Sequence, residues 1–331
     1  MAANFRLYLL RCFGKRKIAF PFCRPTISRP ITNGRPTIQL LGYFSFRCFL
    51  ALGCLLPLSA LQAIAKAWGT LLYRLPTRAK ITTEKNLTAC FPDKSEAEFA
   101  ELTKSSLIHT ASTAMEMGKS WLLPMEKTLS LVVDCEGQDK FNAAYESGNG
   151  IILLAPHLGN WEIFGFYLSD SASTTFLYQP PKYRALDRLI TRSRSRGGLN
   201  MAPTNQTGVA QIFRALKQGQ VVGVLPDQVP SEEGGGYANF FGVPAFTMAL
   251  VSKLIQKTDA KVFCGFAKRL PNAKGFKVIV QEADQGIYSE DVSISLSALN
   301  STVEQHVLSA IEQYQWEYKR FRKQADGSKF Y

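Results

Sequence analysis

The stretch Gly150 to Gly165, GIILLAPHLGNWEIFG, constrains this chain more than any other. Ile151 to Pro156 is an unbroken apolar run opened by Gly148-Asn149-Gly150, the pattern of a strand buried on both faces and started from a tight turn. Pro156 ends the strand and leaves His157 at its tip. Asn160-Trp161-Glu162 then opens an apolar segment, Ile163, Phe164, Phe166, Tyr167 and Leu168, long enough for a short helix packed back on the sheet. One imidazole and one carboxylate thus flank a strand-to-helix corner, at the strand end where open α/β sheets place their ligands.

Two residues five apart on a continuous helix sit about 140° apart and do not face each other. His157 and Glu162 meet only if His157 precedes the helix and Glu162 lies in its first turn. In that arrangement the carboxylate holds one imidazole nitrogen protonated while the other takes a proton from a hydroxyl, the base-plus-orienter pair of acyl transfer. The backbone N–H groups of Leu158 and Gly159 are expected to be free to bind an oxyanion. The alternative is that His157 caps the helix and Glu162 favours its positive end.

The His-x-x-x-x-Glu pattern after a hydrophobic strand resembles the signature of glycerolipid-type acyltransferases. APHLGNWE is similar to its form in the bacterial lipid A biosynthesis late acyltransferases, the lauroyl and myristoyl transferases. The resemblance continues through YQPPKYRALDRLI, VVGVLPDQVP, NFFGVPAFTMAL and YQWEYKRFRK, from about Leu40 to Lys323. It implies transfer of a fatty acyl chain from acyl carrier protein to a hydroxyl of a lipid A precursor, with His157 as base, Glu162 as orienter and no cofactor or metal. It also implies a body on the cytoplasmic face of the bacterial inner membrane. Related enzymes commonly carry Tyr-Arg-Pro where this chain has Tyr178-Gln179-Pro180, which puts a phosphate-binding role at position 179 in doubt and turns attention to Lys182 or Arg184. Rival functions are acylation of a lysophospholipid or glycolipid, with acyl-CoA as an alternative donor, and a membrane-anchored lipid-binding protein with a dead site. No Gly-x-Ser-x-Gly elbow is present, against an acyl-enzyme hydrolase.

Strands and helices alternate through residues 150–269, which predicts an α/β fold with a mostly parallel central sheet flanked by helices. A helix is expected from Ser95 to Leu122, a strand over Thr174–Tyr178, and a helix from Arg184. A further helix should cover Thr207–Gly219, a hairpin residues 261–283, and a long helix Ser297–Tyr318. VVGVLP repeats the order of apolar strand, Pro and polar tip, placing Asp227 and Gln228 beside His157 if the two strands are neighbours. Asp227, Gln228, Asn160, Tyr178, Lys182 and Arg184 are the candidate substrate-binding residues. Ser231–Gly236 reads as a flexible loop, and Phe240-Phe241 as either the lining of an acyl cavity or ordinary packing. His109 and His306 read as structural. With three histidines and seven cysteines, odd in number and without Cys-x-x-Cys spacing, no metal site follows.

The net charge is +13, and its distribution matters more than its size. Residues 1–83 carry thirteen Lys or Arg and no acid, so the remaining 26 basic residues balance the 26 acids of the rest. No basic-aromatic module for nucleic acid appears, and membrane lipid is the better partner. Leu40–Ala65 has Arg47 as its one charge, enough apolar length to approach the ~20 residues of a hydrocarbon core, with Pro57 kinking it. The division expected is a basic tail (1–37), a hydrophobic membrane-anchoring helix (38–69), an acyltransferase domain (70–323, with a helical lead-in to 130 and the α/β core from 131), and a C-terminal tail (324–331). Positive charge on both flanks leaves the orientation open, and the cytoplasmic body that the resemblance implies favours a re-entrant or interfacial seat for the anchor.

Overall fold

The computed structural model describes residues 36–181 and 183–331. Nearly all of the basic tail, and the candidate Lys182, therefore lie outside the described residues. Four helices lead in, α1 (Pro36–Leu55), α2 (Leu58–Arg74), α3 (Arg78–Cys90) and α4 (Glu96–Leu122). The core follows as α5 (Met125–Leu129), β1 (Val132–Glu136), α6 (Gln138–Glu146), β2 (Ile151–Leu154), α7 (Trp161–Ser171), β3 (Thr174–Tyr178), α8 (Arg184–Ser195), β4 (Asn200–Pro203) and α9 (Gln206–Lys217). It ends with β5 (Val221–Val224), β6 (Gly235–Phe240), β7 (Val243–Met248), α10 (Leu250–Ile255), β8 (Lys261–Arg269), β9 (Phe276–Glu282) and α11 (Val292–Leu308).

The central sheet runs β1-β9-β8-β2-β5-β3-β4, and every neighbouring pair is parallel except the β8–β9 hairpin. The expected α/β architecture with a mostly parallel sheet is therefore present. All four residues of β2 are fully buried, which is why this strand reads as a continuous apolar run rather than an alternating one. One face is filled from α6, α7 and α8, where Phe141 meets Phe263 of β8 edge-on at 5.5 Å. The other is filled from α9, α10 and α11 through Ile212, Leu254 and Leu299.

The N-terminal half of α4 is fixed by a capping box in which Ser95 and Glu98 satisfy each other's backbone N–H groups. Its C-terminal half receives α1 at very close range: a Cβ at Gly118 would lie 2.2 Å from the Leu50 carbonyl oxygen. The expected single hydrophobic anchor is instead two helices, because Pro57 has no N–H to continue α1 and disfavours helical backbone before it. Among the described residues no helix is long and apolar enough to cross a membrane.

Two further expectations are corrected. Ser231–Gly236 is a short 3-10 turn that enters β6, whose first residues Gly235 and Gly236 pair with Met248 and Thr247 of β7. Within the expected helical lead-in, residues 78–90 form α3, capped by the Thr77 side chain accepting from the Lys80 N–H. The long C-terminal helix stops at Leu308, and the segment beyond crosses the molecule with Tyr314, Trp316 and Phe321 buried. Tyr314 and Trp316 would lie about 200° apart on a helix yet pack against each other at 4.8 Å in one cluster with Phe321, so tertiary packing overrides the helical pattern there. Phe240 and Phe241 stack in this same aromatic cluster, against Tyr314 and Trp316, and line no acyl cavity. Phe263→Ala removes the ring that seats α6 on the sheet and should lower the unfolding free energy by about 3–5 kcal/mol, measurable by denaturant titration.

Candidate active site

β2 and β5 pair in parallel with Leu154 opposite Val224. Each strand continues with one apolar residue and a proline, Ala155-Pro156 and Leu225-Pro226, before its polar tip. His157 and Asp227 therefore stand at the same offset past the same register point and are brought side by side. The His157 N–H donates to Asp227 Oδ2 at 2.8 Å, and Nδ1 lies 3.0 Å from Oδ1. Both residues are buried. Burial alone would raise the Asp227 carboxyl, but the facing imidazole and its hydrogen bonds outweigh it and hold the group below the ordinary carboxylate range. With an ionised acceptor on Nδ1, that nitrogen carries the proton and Nε2 is left with a lone pair.

Glu162 does lie in the first turn of the helix after the corner, as expected, but its carboxylate does not hold His157. It forms a two-point pair with Arg194 of α8, Oε1 to Nη2 at 2.5 Å and Oε2 to Nε at 3.1 Å. Burial opposes its charge, and the guanidinium more than compensates, leaving the carboxyl below its usual range. The physical reason is direction: the first turn of α7 points Glu162 toward α8, whereas the tip of the neighbouring strand points Asp227 at the imidazole. Position 227 thus orients the imidazole where the sequence assigned it to substrate.

The expected oxyanion amides are closed. Leu158 N–H donates to Pro156 O, Gly159 N–H to Gln313 O and Asn160 N–H to Ala267 O. Gly159 sits at φ +59°, where a Cβ would lie 2.2 Å from the Ala267 carbonyl oxygen. Asn160 is likewise structural rather than substrate-binding: its Oδ1 caps α7 by accepting from Ile163 N–H, and its Nδ2 donates to Glu116 Oε2 at 3.1 Å. Glu116, fully buried, is paired through both oxygens at 2.6 Å with Arg269 from the end of β8. Arg269 also donates to Thr113 and approaches His109 Nδ1 at 3.0 Å. From the other side the C-terminal segment straps the corner, with Gln315 N–H donating to the His157 carbonyl.

A cleft of 730 Å³ opens on the Nε2 side of His157. Trp161 packs edge-on against the imidazole at 4.9 Å, and Tyr178, Gln179, Arg194, Gln228, Tyr318 and Arg322 contribute polar groups. Leu177, Val209, Leu225, Met248 and Leu250 make much of the remaining wall apolar. Of the candidate substrate residues, Tyr178 and Gln228 line the cleft, and Arg184 stands exposed at the start of α8 outside its lining. Tyr318, Arg322, Glu116 and Arg269 carry no site signal in the sequence, whereas Arg194 belongs to the basic run from Lys182 to Arg196, which reads either as a solvated face or as a candidate for lipid phosphates or an acidic carrier. The doubled strand-Pro-tip pattern was a usable signal for the His157–Asp227 pair, but pairings across more than a hundred residues leave no local signature.

Burial, followed by the Arg269 guanidinium, pushes His109 down to about 3 from its ordinary 6.5. The folded chain keeps it neutral where the unfolded chain binds a proton, so its contribution is complete above 6.5 and is lost progressively toward 3. Thermal melts should fall as pH drops below about 6.5, and His109→Gln should flatten that slope. Gly159→Ala, strained by about 1–2 kcal/mol from its left-handed backbone alone, should lower both the melting temperature and the turnover.

The family model for bacterial lipid A biosynthesis acyltransferases matches residues 33–323. The chain is 24% identical over 251 residues to a lipid A biosynthesis palmitoleoyltransferase of Escherichia coli (strain K12), covering 76% of this chain and 81% of that one. It is 22% identical over 273 residues to a lipid A biosynthesis lauroyltransferase of the same organism, 82% and 88% of the two chains. A lipid A biosynthesis acyltransferase of Haemophilus influenzae (strain ATCC 51907 / DSM 11121 / KW20 / Rd) is 24% identical over 292 residues, 88% and 89%. With an imidazole held by a buried carboxylate beside a largely apolar cleft, and a match spanning nearly the whole described chain, this protein is an acyltransferase and belongs to the bacterial lipid A biosynthesis acyltransferase family.

Proposed function

We propose that the chain transfers a fatty acyl group from acyl carrier protein to a hydroxyl of a lipid A precursor, a secondary acylation, with His157 as general base and Asp227 as its orienter. The observation that carries this reading is the bond from His157 Nδ1 to buried Asp227 while Nε2 faces the cleft. In the first step an acceptor O–H bond breaks, its proton passes to Nε2, and the oxygen attacks the thioester carbonyl carbon. The carbonyl π pair moves onto oxygen. When it returns, the C–S bond breaks and the thiolate leaves with the proton from Nε2, restoring the base. Asp227 stabilises the imidazolium formed between the two steps. Glu162 serves this chemistry at one remove by holding Arg194 on the cleft wall.

The donor is read as an acidic carrier because α8 presents Arg184, Arg188, Arg192 and Arg196 at four-residue spacing on its exposed side. Among the described residues no carboxylate pairs with any of them. The membrane seat, on the cytoplasmic face of the inner membrane, is supported by apolar side chains left outside by α1 and α2. Leu55 is 81% exposed, Leu52 60% and Leu71 53%, beside Arg47, Lys66 and Arg74. Such helices suit burial in the interface plane with basic groups reaching the headgroups.

Mass spectrometry of lipid A from cells lacking the protein should show one secondary acyl chain missing; unchanged lipid A would refute the substrate assignment. In purified enzyme, His157→Ala and Asp227→Asn should each lower turnover by about 10²–10⁴. Glu162→Gln should act through Arg194 and weaken substrate binding more than the chemical step. Near-normal turnover in Asp227→Asn would return the orienting role to Glu162.

A further inference from the structure

We infer that Gln228 is a catalytic residue whose side-chain amide donates a hydrogen bond to the oxyanion formed in acyl transfer, the task that the corner amides cannot perform. This rests on the proposed reaction and adds a group to it. Its first support is the closure of the corner, since the N–H groups of Leu158, Gly159 and Asn160 are all committed to carbonyl oxygens within the fold. An oxyanion forming next to His157 must find its donor on another element.

Gln228 supplies one at the right place. Its Nε2 lies 3.3 Å from His157 Nε2, and it lines the same cleft. Because Nδ1 carries the proton toward Asp227, His157 Nε2 can only accept, so the contact is the Gln228 N–H donating to the base. Turned the other way, the amide oxygen would face the lone pair, which is repulsive. No other hydrogen bond holds the Gln228 side chain among the described residues. Its backbone, by contrast, is pinned on both sides of the cleft floor. Asp227 is fixed by His157, and the next residue is fixed by Val229 N–H donating to Tyr318 Oη at 3.0 Å and by Arg322 donating to Val229 O.

The fixed backbone keeps an amide that no other group holds within reach of the reacting atoms. In the empty cleft the amide occupies the base. An acceptor hydroxyl arriving at Nε2 replaces it there and leaves the amide N–H beside the carbon under attack. As the acceptor O–H proton moves to Nε2 and the thioester π pair moves onto its oxygen, the freed N–H donates to that oxygen. When the carbonyl re-forms and the C–S bond breaks, the amide returns to the imidazole. Of the other polar groups lining the cleft, Arg194 is held by Glu162 and Tyr178 donates to Asp187, whereas Gln228 makes its hydrogen bond to the base itself.

The test is steady-state kinetics of the full chain in detergent micelles, with an acyl carrier thioester and a hydroxyacylated glucosamine disaccharide as substrates, alongside thermal melts. Gln228→Met keeps the shape and removes the donor; Gln228→Glu keeps the shape and places negative charge against the oxyanion. Both should lower kcat by about 10²–10³ with KM little changed, Gln228→Glu at least as far as Gln228→Met. Unchanged or increased kcat, as expected if Gln228 merely masks the base, overturns the inference, and so does a loss confined to KM. Should Gln228→Met prove unfolded, Gln228→Glu decides by the same criteria. His157→Ala run in parallel separates the two levels: near-normal turnover there refutes the reaction itself, whereas a His157→Ala slowed by about 10²–10⁴ beside normal Gln228 variants refutes the role of Gln228 alone.

Discussion

The site depends on one buried contact, between the imidazole of His157 and the carboxylate of Asp227. It exists because two neighbouring parallel strands end in the same way at the same register, so that the backbone ladder sets the spacing of the two side chains before either side chain is considered. Asp227 binds both the backbone N–H and the ring of His157, which fixes where the residue sits as well as which ring nitrogen is free. A carboxylate buried this deeply is tolerable only because its partners offset the loss of water.

Around that contact the chain builds a rigid polar frame behind the corner and leaves an apolar cleft before it. The frame joins α4, the corner and the end of β8 through Glu116, Asn160 and Arg269. It is completed by the C-terminal segment, where Asn86 accepts the Tyr331 hydroxyl at 2.5 Å and donates to the carbonyls of Trp316 and Tyr318. A buried pair of this kind adds little net stability, and removing one partner costs about 3–5 kcal/mol because the other is stranded. Its value here is specificity of position: Glu116, Asn160 and Arg269 are held by one another, which fixes the back of the corner that carries the imidazole. Tyr314, Trp316 and Phe321 of the C-terminal segment are buried beside this frame.

The division of labour between the two acids follows from the same geometry. Glu162 starts a helix and reaches across to α8, where it neutralises Arg194 and keeps that guanidinium on the cleft wall. Asp227 ends a strand and reaches across to the next strand. Both carboxylates are buried near the corner, but only that of Asp227 is aimed at the imidazole. The surface follows a similar logic, with α8 turning Arg194 inward and its other arginines outward along one helical stripe.

By itself the sequence determined the elements that local chemistry controls. The doubly buried strand at Ile151–Leu154, the corner at His157, the helix closed by Ser95 and Glu98, the 261–283 hairpin and the motif series that marks an acyltransferase were all legible, because each is written in adjacent residues. The tertiary structure alone decided which acid serves the base, whether the corner amides are free, and where Tyr314 and Trp316 go. Those outcomes turn on contacts such as His157 with Asp227 or Gly159 with Gln313, made between residues 70 or more positions apart. A helical or strand period reports how a residue faces its own element, and it carries no information about which distant group arrives on the other side.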